Sequence, residues 1–317
     1  MRRETMSSEE STSGAWPELP ALEDWAETLE TLHLWTQIVG KVRLAKSPWC
    51  NHSWYVPLYV TSSGLSTSTV YDEARGFDID FDFVDHRLRI ETADGERRSF
   101  SLEPMAVAEF YEKIERSLGE LDIEFDIWPM PVEIPDPIEA FPEDHTHASY
   151  DRESVNTFWR ALSQSHRVLS AFRARFVGKA SPVHFFWGAF DLAATRFSGR
   201  EAPEHPGGAP NVADRVMEEA YSHELSSAGF WPGTGLGEAA FYAYAYPEPD
   251  GFRDFPVRPD AAYYHDELGE YVLPYETVRA ADEPDALLLE FLQTSYEAAA
   301  ELGDWDRAGL EKAGRAG

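Results

Sequence analysis

The chain has 317 residues, of which 57 are Asp or Glu and 27 are Lys or Arg, so its formal net charge is -30. A charge of that sign repels nucleic-acid phosphates and anionic lipid, which argues against nucleic-acid and membrane-surface partners. The sequence contains no apolar run of the roughly 18 residues that a membrane span needs, and the first 14 residues lack the apolar core of a signal peptide. Cys50 is the single cysteine, which excludes an intramolecular disulfide. We therefore expect a cytoplasmic protein.

The first half of the chain alternates between helical and extended patterns. Apolar residues from Leu22 to Val39 recur at helical spacing and Gly40 follows them, which predicts a helix over 22–39. Pro104 suits the first turn of a second helix, predicted over 104–119. Period-two alternation and a hairpin signal at 94–95 predict strands. These strands are expected at 52–60, 76–84, 87–92, 97–102 and 122–128.

The second half follows a segment with many prolines and little periodicity, which is typical of a linker. An apolar stripe predicts a helix over 151–177, and alternating aromatic residues predict a strand over 241–246. A hairpin is expected around 268–269 and a helix over 284–302. The Gly- and Pro-rich residues 199–238 and 247–260 are predicted to be long loops, where function is often located.

The order of these patterns repeats along the chain. Val39-Gly40-Lys41 and Val177-Gly178-Lys179 each end a long helix in this interpretation, and Glu-Pro opens a later helix in both halves. Several matches in one order predict an internal duplication. The predicted fold is α+β, with two similar α-β-meander-α modules in tandem, pseudo-twofold symmetry, and antiparallel sheets with helices packed on one side. The predicted units are a disordered tail (1–14), a first module (15–130), a Pro-rich linker (131–150), a second module (151–303) and a tail (304–317).

Four distinctive stretches resemble a bacterial family described only as a domain of unknown function. They are TLHLWTQIVGKVRL, SPVHFFWGAFDLAATRFSGR, AYSHELSSAGFWPG and FYAYAYPEPDGF, and the resemblance runs from about Trp16 to Trp305. It implies a widespread bacterial protein with one folding unit. It implies no activity and no catalytic residue.

Two long runs lack acidic residues in a chain that is otherwise rich in them. Thr31–Tyr71 and Ser154–Phe190 contain no Asp or Glu but carry eight Lys or Arg residues. One interpretation is that these two runs form the buried core, because buried helices and strands exclude carboxylates. Their Lys and Arg side chains would then reach to the surface. The other is an anion-binding cleft between the modules. Its predicted ligand-binding residues are Lys41, Arg43, Arg175 and Lys179, with walls from Trp54, Trp187 and Trp231.

Histidines supply the candidate proton-transfer groups. His184 lies in an aromatic strand pattern, where a buried imidazole is the simpler interpretation, and His223 lies in a predicted loop. We name both as candidate catalytic residues because imidazole exchanges protons near neutral pH. No His-Glu-x-x-His motif or cysteine pair is present, and the glycine-rich segment GFWPGTGLG precedes a strand rather than the helix that a phosphate site needs. No metal and no cofactor is predicted.

Two functions from different classes fit these features. The first is a protein that binds or processes a small anionic metabolite between the modules; whether it is an enzyme is left open. The alternative is a non-catalytic interaction protein that uses exposed aromatic loops at 229–246 and 263–275. The sequence does not indicate the substrate or the oligomeric state.

The histidine spacing generates a testable expectation about metal content. Because no recognised ligand pattern is present, purified protein should carry much less than one transition-metal ion per chain. Elemental analysis after chelator-free purification measures this directly. About one zinc, iron or manganese ion per chain would contradict the expectation and would direct mutagenesis to His52, His184 and His223.

Overall fold

The computed structural model describes residues 12–135 and 139–312. It contains two six-stranded antiparallel sheets and seven α-helices, so the predicted α+β class is confirmed. The helices are α1 (Leu22–Lys46), α2 (Val107–Gly119), α3 (Arg152–Arg173), α4 (Asp214–Ala220), α5 (Tyr275–Arg279), α6 (Pro284–Leu302) and α7 (Arg307–Leu310).

Each half of the chain forms one sheet. The first sheet contains β1 (Tyr59–Val60), β2 (Gly64–Ser66), β3 (Val70–Asp72), β4 (Arg75–Asp82), β5 (Arg87–Thr92) and β6 (Arg97–Ser101). Its order is β1-β2-β4-β5-β6, and β3 also pairs with β4. The second sheet contains β7 (His184–Phe186), β8 (Asp191–Glu201), β9 (His223–Trp231), β10 (Ala240–Tyr246), β11 (Tyr263–His265) and β12 (Glu270–Pro274). Its order is β11-β12-β10-β9-β8-β7.

The two sheets meet at their first strands. Leu58 and Phe185 exchange both backbone hydrogen bonds, at 2.9 and 3.0 Å, next to β1 and β7. Each half begins with a long helix and continues with an antiparallel sheet; α2 follows the first sheet, and α5, α6 and α7 follow the second, which also has α4 between β8 and β9. The internal duplication itself stays a prediction.

Helix α1 connects the cores of both halves. Trp35 stacks on Phe110 of α2 at 4.7 Å between ring centroids, and Trp25 packs on Phe158 of α3 at 5.3 Å. Because both sides of α1 face protein, every residue from Thr31 to Val42 except His33 is buried. This burial explains why α1 carries no carboxylate between Thr31 and its end at Lys46.

Several predicted boundaries are wrong. Helix α1 continues through Gly40 to Lys46, so the first Val-Gly-Lys motif lies inside a helix, whereas the second lies beyond the end of α3 at Arg173. Strand formation in 52–60 is limited to Tyr59–Val60, and 122–128 contains no strand. The predicted loop at 199–238 contains α4 and β9. Positions 304–312 contain α7, and the tails at 1–11 and 313–317 lie outside the described residues.

Position 40 of helix α1 needs a glycine because a side chain there would collide with Trp187. A Cβ at Gly40 would lie 2.2 Å from the indole ring, which is held in place because its Nε1 donates to the Val56 carbonyl at 2.8 Å. Gly119 is the comparison: it also lies in a helix, and a Cβ there would have no described neighbour within 4 Å outside its own helix turn.

We expect Gly40→Ala to destabilise the protein by about 1–3 kcal/mol through overpacking, although alanine favours a helix by ~1 kcal/mol relative to glycine. Gly119→Ala should leave stability unchanged or increase it slightly, because it gains helix propensity without a collision. Urea unfolding of both variants measures the difference. Equal shifts in the same direction would contradict the close packing at Gly40.

Candidate functional site

A cavity of about 1110 Å³ covers one face of the second sheet. Its floor includes Asp191, Ala193, Thr195 and Phe197, which alternate along β8 and therefore point to the same side. The opposite side of β8 packs on helices: Arg196 lies against Phe172 of α3, with the guanidinium carbon 3.5 Å from the ring centroid. The sheet thus separates a helical core from an open cavity.

Hydroxyl groups line the floor on neighbouring strands. Thr195 pairs with Ser227 of β9, which in turn pairs with Tyr244 of β10, so these three side chains form one row across the sheet. The Thr195 and Ser227 hydroxyls are 3.0 Å apart, and the Tyr244 hydroxyl is 3.0 Å from that of Tyr221. The floor can therefore donate and accept several hydrogen bonds.

The walls come from α1, from the Pro-rich linker and from α4. Gln37 of α1 fixes the linker, because its side-chain amide donates to the Val132 carbonyl and accepts from the Val132 amide, both at 2.9 Å. This contact places Glu133 in the cavity wall, with φ at 58°. Glu133 lies against Gly188, where a Cβ would come within 2.0 Å of the carboxylate.

Asp191 is held at the floor by Tyr242 of β10, whose hydroxyl donates to the carboxylate. The tyrosine ring reaches across Gly229 of β9, where a Cβ would lie 2.5 Å from the hydroxyl oxygen. A glycine at this position is therefore a requirement for the Tyr242–Asp191 contact. Burial raises the pKa of Asp191 to about 6, although the Tyr242 hydrogen bond opposes the shift.

Two further carboxylates face the same space. Removal from bulk water raises the pKa of Glu133 to about 7, and the negative charge of Asp191 adds to the shift. Glu133 is exposed at the cavity wall rather than sealed in the core. Burial and Asp191 likewise raise the pKa of Glu270 at the start of β12 to about 7. These shifts mark carboxylates that lack a nearby cation.

The cavity lining contains six carboxylates and, among the described residues, no lysine or arginine. His33 does not neutralise them. Its Nε2 lies 2.9 Å from the Gly188 carbonyl, so that nitrogen carries the proton and donates, and burial lowers the pKa of the ring to about 4. The His33 imidazole is neutral at physiological pH. His147 also lines the cavity, but it pairs with Asp144 at 2.7 Å and lies 3.9 Å from Glu30, so Asp191, Glu133 and Glu270 have no ion-pair partner among the described residues.

Basic groups lie at the other end of β8. His52 lines the cavity, and its Nδ1 donates to the Ala220 carbonyl at 3.1 Å. Its Nε2 therefore accepts from the Lys179 ammonium, at 2.6 Å. The His223 ring lies 5.8 Å from the His52 ring. Burial lowers the pKa of His52, and the neighbouring Lys179 and His223 lower it further.

Some of the predicted site residues meet at this cavity. Trp54 and Trp231 are part of its lining. Lys179 lies next to it, with its ammonium 5.3 Å from the Trp54 ring centroid and 5.0 Å from that of Phe197. His223, predicted in a loop, is instead the first residue of β9.

The other predicted residues lie elsewhere. Lys41 is buried inside α1, with its ammonium 4.9 Å from the Trp128 ring centroid, and Arg43 donates to the Thr67 carbonyl. Trp187 packs on Gly40, Arg175 is exposed beyond α3, and His184 is fully buried. Neither His184 nitrogen has a hydrogen-bond partner among the described residues, and its pKa is lowered to about 3 by burial and then by the charges of Arg43 and Arg173. The structure therefore does not gather the four predicted basic residues around one cavity.

The predicted aromatic loops are also largely strands. Residues 229–246 include all of β10 and the end of β9, and the rings of Phe230 and Phe241 are buried. In 263–275, Tyr263 is 41% exposed, whereas Tyr271 is buried. The loop prediction for 229–246 is wrong because alternation on β10 places its tyrosines on the cavity floor.

The sequence interpretation missed the acidic residues of the cavity. The sequence does single out Asp191, since it is the first acidic residue after the run Ser154–Phe190 and directly follows a predicted core segment. The sequence also places Tyr242 and Tyr244 together, because they share one face of a predicted strand. Glu133 lies in the linker, and only the tertiary contact with Gln37 shows that it belongs to the site.

A family model described as a family of unknown function, DUF5996, matches residues 16–312. The chain belongs to the DUF5996 family. No curated protein and no solved structure matches the chain. The match covers both sheets and the whole lining of the cavity, so this cavity lies within the DUF5996 region.

Two classes of feature are not found in this DUF5996 chain within 12–135 and 139–312. No group of three or more His, Cys, Asp or Glu side chains there is arranged to hold a metal ion. No helix there is both long enough and apolar enough to cross a bilayer. The three cavity carboxylates thus influence one another through charge without forming a common metal-ligand set.

The raised pKa of Asp191 has a consequence for stability. Folding favours the protonated form, so the contribution of this group is fully present below the unfolded pKa near 4 and is lost as the pH rises through about 6. Asparagine keeps an acceptor for the Tyr242 hydroxyl but carries no charge. We expect Asp191→Asn to match the wild type at pH 4 and to be about 1–2 kcal/mol more stable at pH 7.5.

Chemical unfolding at both pH values measures this difference. Asp250→Asn is the matched control, because Asp250 is exposed on a turn away from the cavity lining. Its effect on stability should be the same at both pH values. A destabilised Asp191→Asn variant at pH 7.5 would show that the Asp191 charge is compensated in the folded protein.

Proposed function

We propose that the protein binds a small organic cation, a molecule carrying an amine or guanidine group, in the cavity over the second sheet. The observation that carries this proposal is the set of Asp191, Glu133 and Glu270, which share a cavity whose described lining offers no lysine or arginine. Carboxylates in such surroundings bind a cation favourably, because the cation removes the repulsion between them.

Aromatic rings beside the carboxylates support the same ligand class. Trp231 and Tyr242 lie edge to face with ring centroids 5.5 Å apart, and Tyr242 and Tyr244 are stacked at 6.2 Å. Ring faces attract organic cations, and this attraction increases when water is excluded. The combination of rings, hydroxyls and carboxylates suits a cation with an apolar body.

This proposal differs from the anionic metabolite that the sequence favoured. An anion in this cavity would meet six carboxylates of the lining. The predicted Lys41 and Arg43 are already engaged by Trp128 and the Thr67 carbonyl. Lys41 and Arg43 therefore have local roles in packing and hydrogen bonding that do not require an anion, and Arg175 is exposed beyond α3.

The carboxylates also suit proton transfer. A Glu133 or Glu270 carboxyl with a pKa of about 7 exchanges protons readily at neutral pH. A bound amine would lie beside these groups. Catalysis on the bound molecule would use them as general acid and base.

Matched ligand pairs test the charge requirement. Benzylamine and benzyl alcohol have similar shapes, but only the amine is positively charged. We expect the amine to bind at least about tenfold more tightly at pH 8, a difference of ~1.4 kcal/mol. Isothermal titration calorimetry on both ligands measures it, with a panel of alkylamines and guanidines to cover other sizes.

The preference should depend on pH with a defined sign. Between pH 5 and pH 8 the carboxyls of Asp191, Glu133 and Glu270 ionise, while the amine stays protonated, so affinity for the amine should rise. Asp191→Asn should reduce the preference for the amine at pH 8, and Asp250→Asn should preserve it. Equal binding of amine and alcohol across the panel, or stronger stabilisation by phosphate than by amines, would overturn the proposal.

A further inference from the structure

The cavity has a chemical asymmetry along β8. Asp191 is at one end of the floor and Phe197 at the other, and both side chains face the cavity. Six residues of extended chain at about 3.3 Å each separate them by roughly 20 Å. The register from Leu192 to Phe197 is continuous, so no bulge shortens this distance.

Lys179 provides positive charge at the Phe197 end. Its ammonium is held over the Phe197 ring at 5.0 Å and donates to His52 Nε2 at 2.6 Å. His52 presents a lone pair there because its Nδ1 donates to the Ala220 carbonyl. The ammonium is therefore fixed in direction by a neutral acceptor, and no carboxylate in the described part of the chain forms an ion pair with it.

The surroundings of Lys179 leave its charge largely uncompensated. The nearest acidic side chain that affects His52 is Glu219, whose carboxylate accepts from Trp49 Nε1 at 2.7 Å. His223 adds a second imidazole beside His52. Lys179 is exposed and lies outside the cavity lining, so a ligand oxyanion would meet it at the edge of the cavity, where Trp54 and His52 form the wall.

We propose that the ligand is an elongated bipolar molecule, with a cationic group at Asp191, Glu133 and Glu270 and an oxyanion at Lys179. This inference rests on the proposed cation site and adds a second pole to it. A separation of roughly 20 Å between the poles matches an extended peptide of about six residues, at ~3.3 Å per residue. Short peptides of increasing length, with free termini, can therefore measure the distance between the two charged ends of the site.

The experiment compares oligo-alanine peptides of three to six residues, each with a free carboxylate or a carboxamide at the C-terminus. The two forms differ only in the charge of that end. At pH 7.5 we expect equal binding of acid and amide for the shortest peptides. We expect about tenfold tighter binding of the acid at the length that reaches Lys179.

Three variants assign this gain to Lys179. Lys179→Met keeps an unbranched chain over Trp54 and Phe197 and should remove the preference for the acid. In Lys179→Met, His52 could take up a proton and supply the positive charge in place of the ammonium. Lys179→Glu controls for this, because its carboxylate should reverse the preference so that the amide binds more tightly than the acid. Lys113→Met is the matched control, since Lys113 lies over the Phe100 ring at 5.7 Å in the first half of the chain and should keep the preference.

The outcomes separate the two proposals. The oxyanion site at Lys179 is refuted, and the cation site stands, in either of two cases. In the first, small amines bind but acid and amide peptides bind equally at every length. In the second, the preference for the acid survives in Lys179→Met and Lys179→Glu. If small amines and peptides both fail to bind, the proposed cation site itself is refuted.

Discussion

The position of Asp191 determines the organisation of the cavity. Its carboxylate lies at the start of a floor strand, in contact with Tyr242 across Gly229. Burial raises the pKa values of both Glu133 and Glu270, and the charge of Asp191 raises them further. Helices pack on the other side of β8, so the Asp191 side chain lies on the face that points to the cavity. The negative charge of the cavity thus follows from the fold.

The sequence predicts the regular elements well where a single physical pattern determines them. Alternation predicted β10 at 241–246 against the observed Ala240–Tyr246, and helix α6 was predicted with its observed bounds. The end of α1 was missed because Gly40 is a typical helix terminator in sequence. In the structure this glycine accommodates the Trp187 indole, a contact between residues 147 positions apart that no local pattern reveals.

The acid-free runs illustrate a more general limit. The sequence correctly identified them as unusual, but burial and anion binding both exclude carboxylates. The structure shows local partners for their cations: Arg173 donates to the Ser181 carbonyl, and Lys41 packs on Trp128. The acidic residues of the cavity come from a strand start, a linker and a hairpin, which are distant in sequence. Their convergence depends on tertiary contacts such as Gln37 with Val132.

The three histidines of the described lining leave Asp191, Glu133 and Glu270 without a basic partner. Protonation of His33 would require a buried cation, and its Nε2–H is already used by the Gly188 carbonyl. Protonation of His52 would place a proton against the Lys179 ammonium, because Nε2 is the acceptor of that contact. Both imidazoles therefore stay neutral while the carboxylates ionise near pH 6 to 7. His147, the third histidine of the lining, lies 2.7 Å from Asp144 and 3.9 Å from Glu30. Compensation of the charge on Asp191, Glu133 and Glu270 at neutral pH is therefore left to a cation that enters from solvent.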